Sequence, residues 1–229
     1  RFGAIDLRFN NPDLPSDPNS KLNRAIADMA QAYHDTANNE YHDGKGNVDE
    51  LTGGAQMLFT NIGLGAQSAA STGFDMKAWI NSELIRLGVE PDHIAFMADA
   101  NSHAKKGKLF EDMRQGRKRI LIGGSNMETG VNAQKRLTHL AHLDSPWYPA
   151  TVEQREGRII RQGNQNKEVV IRAYATKGSY DSTMWGMVAR KARFIQQAMN
   201  GDISMRHMDD ISEASAFEQA SALSSGDTR

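Results

Sequence analysis

The densest run of side chains able to do chemistry is Gln154-Arg155-Glu156-Gly157-Arg158-Ile159-Ile160-Arg161-Gln162-Gly163, in which a glutamine and two arginines follow the spacing Q-x-x-G-R-x-x-R. The spacing predicts a helix on which Gln154, Arg158 and Arg161, at i, i+4 and i+7, share one face. Two guanidiniums on one face repel each other and are costly to bury, so the arrangement makes sense when a polyanion sits between them. Arginine donates to two phosphate oxygens through a planar fork and does not lose its charge. Gly157 removes a side chain where something must approach closely. Ile159 and Ile160 indicate that the segment also packs into a core, which separates it from a merely solvated basic helix.

Upstream, Gly123-Gly124-Ser125-Asn126-Met127-Glu128-Thr129-Gly130-Val131-Asn132 follows the apolar run Arg119 to Ile122. A polar, glycine-rich loop at the C-terminal end of a parallel strand is where open α/β sheets bind ligands. It is not a Walker loop, since G-x-x-x-x-G-K-[ST] occurs nowhere in the chain, and Gly63-Leu64-Gly65 lacks the third glycine of a dinucleotide fingerprint. Between loop and arginine segment lies Leu143-Asp144-Ser145-Pro146-Trp147-Tyr148-Pro149. There Asp144 is placed to orient an arginine, and Trp147 is expected to pack on a helix rather than stack on a base. A further cluster of seven basic residues, Lys105, Lys106, Lys108, Arg114, Arg117, Lys118 and Arg119, stands against Glu111 and Asp112. It reads equally as a solvated face or as a phosphate-binding surface.

The elements that must position these residues alternate. Residues 1–20 carry Pro12, Pro15 and Pro18 among Asn and Asp, a composition that predicts an extended linker. A helix is expected from about Lys21 to Thr36, with Leu22, Ile26, Met29, Ala30 and Tyr33 at three- and four-residue spacing and Asn19 or Ser20 as cap. After a polar loop over 37–55, strands are expected at Gln56–Thr60, His93–Met97, Arg119–Ile122, Leu137–Leu143 and Val169–Tyr174. Helices are expected at Phe74–Leu87, stopped by Gly88, at Ala104–Gln115, ended by Gly116, and at Ser179–Met199. Strands alternating with helices imply a parallel sheet covered on both faces. The Met184, Met187, Val188 and Ile195 stripe reads as core packing, and the polar, alanine-rich stretch beyond Gly201 as a loose helix or disorder.

Bulk composition narrows the classes. In 229 residues, 39% are hydrophobic and 24% charged, enough for one sizeable α/β domain with appendages. Net charge is -1, which by itself does not announce a nucleic-acid binder. The absence of cysteine excludes disulfides, thiolate zinc sites and cysteine nucleophiles. No apolar run approaches the roughly 18 residues of a membrane span, no basic-then-apolar leader opens the chain, and the default expectation is a cytoplasmic protein. A start at Arg1 rather than Met suggests a piece of something longer. The seven histidines form no H-x-x-x-H pair, so no metal site is expected.

The order of strand, S-x-M-x-T-G-x-N loop, strand, D-x-P-W-x-P and Q-x-x-G-R-x-x-R-Q-G resembles motifs V and VI of helicase superfamily 2, closest to the Swi/Snf-type ATPases. In particular it is similar to the large helicase/adenine-methylase proteins of phages and mobile elements. The resemblance covers roughly residues 17 to 202, including Ser20-Lys21-Leu22 and the Tyr180 to Ile195 segment. Gln56–Asn61 stands as motif IV. Glu128 departs from the family, which has small residues there. The resemblance implies a RecA-like fold, with residues 1–50 as linker and leading helix, 51–178 as the lobe, 179–202 as a trailing helix packed on it, and 203–229 as a polar tail. It implies a second motor lobe acting on ATP with Mg2+, both held mainly by a first lobe carrying the Walker motifs. Arg161 would be the arginine finger on the γ-phosphate and Arg158 its support, while Gln154 would hydrogen-bond near the phosphates or couple to motif V. Gly130, Asn132 and Gly157 would line the nucleotide cleft. Thr60, Asn61 and Ser125, with Lys105 and Lys106, would meet nucleic-acid phosphates, double-stranded DNA first. The alternative is a RecA-like module that binds nucleic acid or a partner without catalysis. A Rossmann-like methyltransferase is disfavoured, because its early Gly-rich loop and Asn/Asp-Pro-Pro-Tyr site are missing.

Overall fold

A computed structural model describes residues 2–128 and 130–199. Five strands, β1 (Ala55–Phe59), β2 (Ile94–Phe96), β3 (Ile120–Gly123), β4 (Leu137–His142) and β5 (Val170–Ala173), form one parallel sheet in the order β2-β3-β1-β4-β5. All five lie within a residue or two of the expected runs. Alternation builds two cores at once. Met57, Phe59 and Leu121 face one side with Leu109, Phe110, Met113 and Ile159, while Leu58, Ile120 and Ile122 face the other with Leu22, Ile26, Met29, Ile80 and Leu84. Burial on both faces explains why β1 and β3 read as apolar runs, whereas the edge strand β5 is largely exposed.

The helices are α1 (Lys21–Asp35), α2 (Ala66–Thr72), α3 (Met76–Arg86), α4 (His103–Gln115), α5 (Pro149–Glu156) and α6 (Tyr180–Met199). Ser20 rather than Asn19 caps α1, accepting from the Asn23 N–H. Gly88 and Gly116 take positive φ just past α3 and α4 and stop them as expected. Helix α2 has no sequence counterpart: its Ala-Gln-Ser-Ala-Ala-Ser-Thr carries no apolar stripe and none of its residues is buried. Lys21 and Asp181, both buried, form an ion pair that ties α1 to α6, and Met184 and Met187 pack beside it.

Two expectations about backbone need correction. Residues 2–20 do not run extended. They form 3-10 turns at Phe2–Ala4 and Leu7–Phe9, which bury Ile5 and Phe9 in the α1 and α3 core. The Arg8 guanidinium is forked onto Asp6 and lies 4.4 Å from the rings of both Phe74 and Trp79. Prolines mark the first segment as non-helical, but Ile5 and Phe9 give it area to bury, and that decides its packing. The arginine segment is likewise not one continuous helix, since α5 ends at Glu156 and 157–163 continue as turns. The stretch beyond Gly201 lies outside the described residues.

Candidate nucleotide and nucleic-acid faces

One candidate face lies at the C-terminal ends of β1 and β3, where open α/β sheets bind ligands. It is built by the loops that follow them. Thr60, Asn61, Gly124, Ser125 and Asn126, with Lys77, line a cavity of about 280 Å3. The Asn61 side-chain oxygen accepts the Ser125 N–H at 2.7 Å, so the two loops are joined. Gly124 has to be glycine, because a Cβ would stand 2.8 Å from the Thr60 carbonyl oxygen. The Thr60 hydroxyl is not available to a ligand. It is buried and closes a local turn, donating to the Ile62 carbonyl at 2.9 Å.

The second face is the turn after α5. Gln154 and Arg161 are exposed, and the Arg161 fork has no hydrogen bond or ion pair among the described residues. Arg158 is half-buried and occupied. Its Nη2 donates to the Glu128 carbonyl at 2.7 Å, its Nη1 to the Val131 carbonyl at 3.3 Å, and its Nε to the Gln154 carbonyl at 3.3 Å. Burial and the neighbouring Arg161 charge push the Arg158 guanidinium below its usual range. The two cations are therefore close, one fixed on backbone and one open. Gly130, with φ of 72°, is exposed at the edge of the loop that Arg158 holds. Asn132 is exposed too, but its carbonyl faces the other way and accepts from Arg114. What approaches Gly157 is its own helix: a Cβ would meet the Glu153 carbonyl at 3.0 Å. Ile160 is exposed at 64%, so only Ile159 anchors the turn in the core.

The residue that sequence reasoning undervalued is Arg155. It is fully buried, donates from Nε to Glu128 Oε1 at 3.0 Å, and reaches Asp144 Oδ1 from Nη1 at 3.4 Å. Asp144 does orient an arginine as expected, and this is the one. The departure at Glu128 has a physical reason, since it supplies half the counter-charge of a buried arginine. Beneath this cluster sits His142, stacked on Phe59 and edge-on to Trp185, with neither ring nitrogen hydrogen-bonded among the described residues. Burial and the Arg155 charge push its imidazole down to about 4.

The basic run along α4 mostly neutralises itself. Lys108 and Arg117 share Asp112, Arg114 pairs with Glu111, and Lys118 donates to the Ile94 carbonyl. Arg119 is buried on the Gly54 and Tyr33 carbonyls. Lys105 and Lys106 stay unpaired among the described residues, in the first turns of α4. Trp147 is 41% exposed, and its carbonyl accepts from Lys191 of α6. No group of three His, Asp or Glu side chains converges as a metal site among the described residues, and no described helix is long and apolar enough to cross a membrane.

Comparison with known proteins bears on family and fold. Residues 82–163 match the family model of the helicase conserved C-terminal domain. The chain is 30% identical over 135 residues to the defense against restriction protein B of Escherichia phage P1, covering 58% of the chain and 6% of that protein. It is 30% identical over 109 residues to the uncharacterized ATP-dependent helicase YqhH of Bacillus subtilis (strain 168), covering 47% of the chain and 18% of that protein. The chain thus spans only a small fraction of these relatives. Among solved structures, the C-terminal part of the Fun30 ATPase domain superposes with a TM-score of 0.52 at 17% identity, over 82% of this chain and 54% of that one. That likeness establishes the RecA-like fold.

Proposed function

We propose that the chain is the C-terminal RecA-like lobe of a superfamily 2 helicase, a reading supported by the family match and the fold, and that it is the second half of a nucleic-acid-dependent ATP-driven motor of the Swi/Snf type. The observation that carries the reading is the pair Arg158 and Arg161. Arg158 is fixed on three carbonyls, and Arg161 beside it has its fork open to the surface. A lone guanidinium held next to a second cation favours an approaching anion, and its planar donors suit a phosphoryl group. Arg161 acts as the finger on the transferring γ-phosphoryl group of ATP held by a first lobe. Arg158 keeps the 128–131 loop and the finger in register, and the exposed Gln154 meets the phosphates from the preceding turn. Gly130 lies on the same edge of the cleft. Asn132 and Gly157 are the weaker members of this set, because the one turns its carbonyl to Arg114 and the other serves its own helix. Mg2+ would be held, like the ATP, mainly by the first lobe.

The loops after β1 and β3 take the nucleic-acid backbone, double-stranded DNA first. The Asn61 and Ser125 groups act from the rim of the cavity, Thr60 contributes its backbone only, and Lys105 and Lys106 extend the surface. Phosphate contacts position a protein without reading sequence. The test compares this chain alone with the longer polypeptide that carries both lobes. The reading expects no ATP turnover from the chain alone, turnover stimulated by DNA from the two-lobe polypeptide, and weak binding of two unrelated duplexes by the chain alone. That binding should weaken with a log–log salt slope of about -0.9 per phosphate. Turnover by the rigorously purified chain alone would overturn the half-site reading. Tight, sequence-discriminating, salt-insensitive binding would replace it with a base-reading module.

A further inference from the structure

Arg155 belongs to neither face, yet it is bonded into both. Its Nε donates to Glu128 in the loop after β3, and its Nη1 reaches Asp144 after β4. The second Asp144 oxygen accepts the Asn61 backbone N–H at 2.8 Å, and the Asn61 side-chain oxygen accepts the Ser125 N–H at 2.7 Å. Ser125 leads back along the chain to Glu128, so the bonds close a ring through three loops. Glu128 also presents its carbonyl to Arg158. One turn of backbone then separates Arg155 from Arg158. The ring therefore has the nucleic-acid rim, Asn61 and Ser125, on one side and the arginine turn on the other.

The manner of bonding matters. An arginine fork can place two parallel donors on one carboxylate. Here the fork is divided between carboxylates from two different loops, the guanidinium carbon lies 5.2 Å from the centre of the Phe59 ring, and Nη2 is buried with no hydrogen-bond partner among the described residues. A buried donor left over is a feature that requires an explanation. A guanidinium holding two separate loops, with one donor to spare, can follow a movement of either carboxylate and hand it to the other.

We infer that Arg155 is a positioning residue that couples nucleic-acid contact at Asn61 and Ser125 to the placement of Arg158 and Arg161. This rests on the motor reading above. A phosphate drawing on the Asn61 or Ser125 loop moves Asp144 and Glu128 together. Arg155 moves with them and resets the end of α5, from which the finger projects. Such coupling has to be reciprocal for binding: whatever occupies the arginine turn alters affinity at the rim by the same factor.

The experiment uses the two-lobe polypeptide and measures turnover without DNA, turnover at saturating duplex, the duplex concentration for half-activation, and KM for ATP. Arg155→Lys keeps the charge and stem, but one ammonium cannot hold two loops through a planar fork. It is expected to lower the stimulated-to-unstimulated ratio roughly 2- to 30-fold while unstimulated turnover and KM stay at the parent values. Glu128→Ala opens the ring from the other end and leaves the Arg155 to Asp144 pair, so it decides the matter if Arg155→Lys does not fold. It should lose stimulation in the same way. Stimulation retained in either folded variant overturns the coupling. Arg161→Ala run alongside separates the two readings. If it leaves turnover intact the motor reading fails, and if it abolishes turnover while Arg155→Lys keeps its stimulation, only the coupling fails.

Discussion

The two arginine- and lysine-rich stretches of this chain have similar formulae and opposite fates. From Lys105 to Arg119 the charges are spent internally, on Asp112, Glu111 and backbone carbonyls, leaving Lys105 and Lys106 without a partner among the described residues. From Arg155 to Arg161 three arginines divide the work. Arg155 is buried between two carboxylates, Arg158 is bonded to carbonyls, and Arg161 is left open. Counting charge does not find a site. The difference lies in a cation without an acceptor among the described residues, Arg161, standing beside one that its carbonyls hold, Arg158.

The comparison can be broken by substitution. Arg155→Ala leaves Glu128 and Asp144 facing each other without their cation, and removing one side of a buried ion pair costs about 3–5 kcal/mol. Chemical denaturation of the 229-residue chain should register that loss; a change near zero would mean that the buried cluster does not hold the loops. Next in size is a pH effect beneath the same cluster. The His142 imidazole is pushed down to about 4, so the unfolded chain binds its proton more readily than the folded one. The contribution is complete above pH 6.5 and is lost as pH falls from 6.5 towards 4, with a full size of roughly 3 kcal/mol. The Glu156 carboxylate lies 3.4 Å from Nε2 but is a poor counter-ion, since burial and Glu153 push its own carboxyl up. His142→Phe should remove this stability slope between pH 6.5 and 4, and an unchanged slope would assign it elsewhere.

The exposed pairs sharpen the contrast from the other end. Lys108→Ala removes one of two partners of Asp112 at a solvent-facing site, where ion pairs contribute about 0–1 kcal/mol. Its melting temperature should stay within a few degrees of the parent. Arg161→Ala should perturb folding least of all, within about 0.5 kcal/mol, because the side chain touches no described partner. A large loss of stability at Arg161 would show it to be a structural arginine like Arg155.

Strands β1 and β3 were legible because they are buried along their whole length and flanked by glycines, and α1, α3 and α4 because apolar spacing and capping residues agree. Helix α2 left no trace, since none of its residues is buried. The packing of Ile5 and Phe9 was hidden by the prolines around them. In the site, the Q-x-x-G-R-x-x-R spacing located the arginine turn but implied a helix running through Arg161, whereas α5 stops at Glu156. Spacing says which residues are neighbours on an ideal helix. It does not say which of three arginines will be buried, a matter settled by Glu128 and Asp144 arriving from two other loops. The mismatch of Glu128 with the family pattern was the available signal, read together with a third arginine at 155.

The central claim is that Arg161 completes a catalytic site on the other lobe, and the direct measurement is kcat and ATP affinity of Arg161→Ala and Arg161→Lys in the two-lobe polypeptide with DNA present. The account predicts that Arg161→Ala lowers kcat by about 10³–10⁵ with ATP affinity little changed, as befits a group acting on transition-state charge. It predicts that Arg161→Lys does not recover the loss, because one ammonium cannot copy the fork. Near-parental turnover in either variant would contradict it.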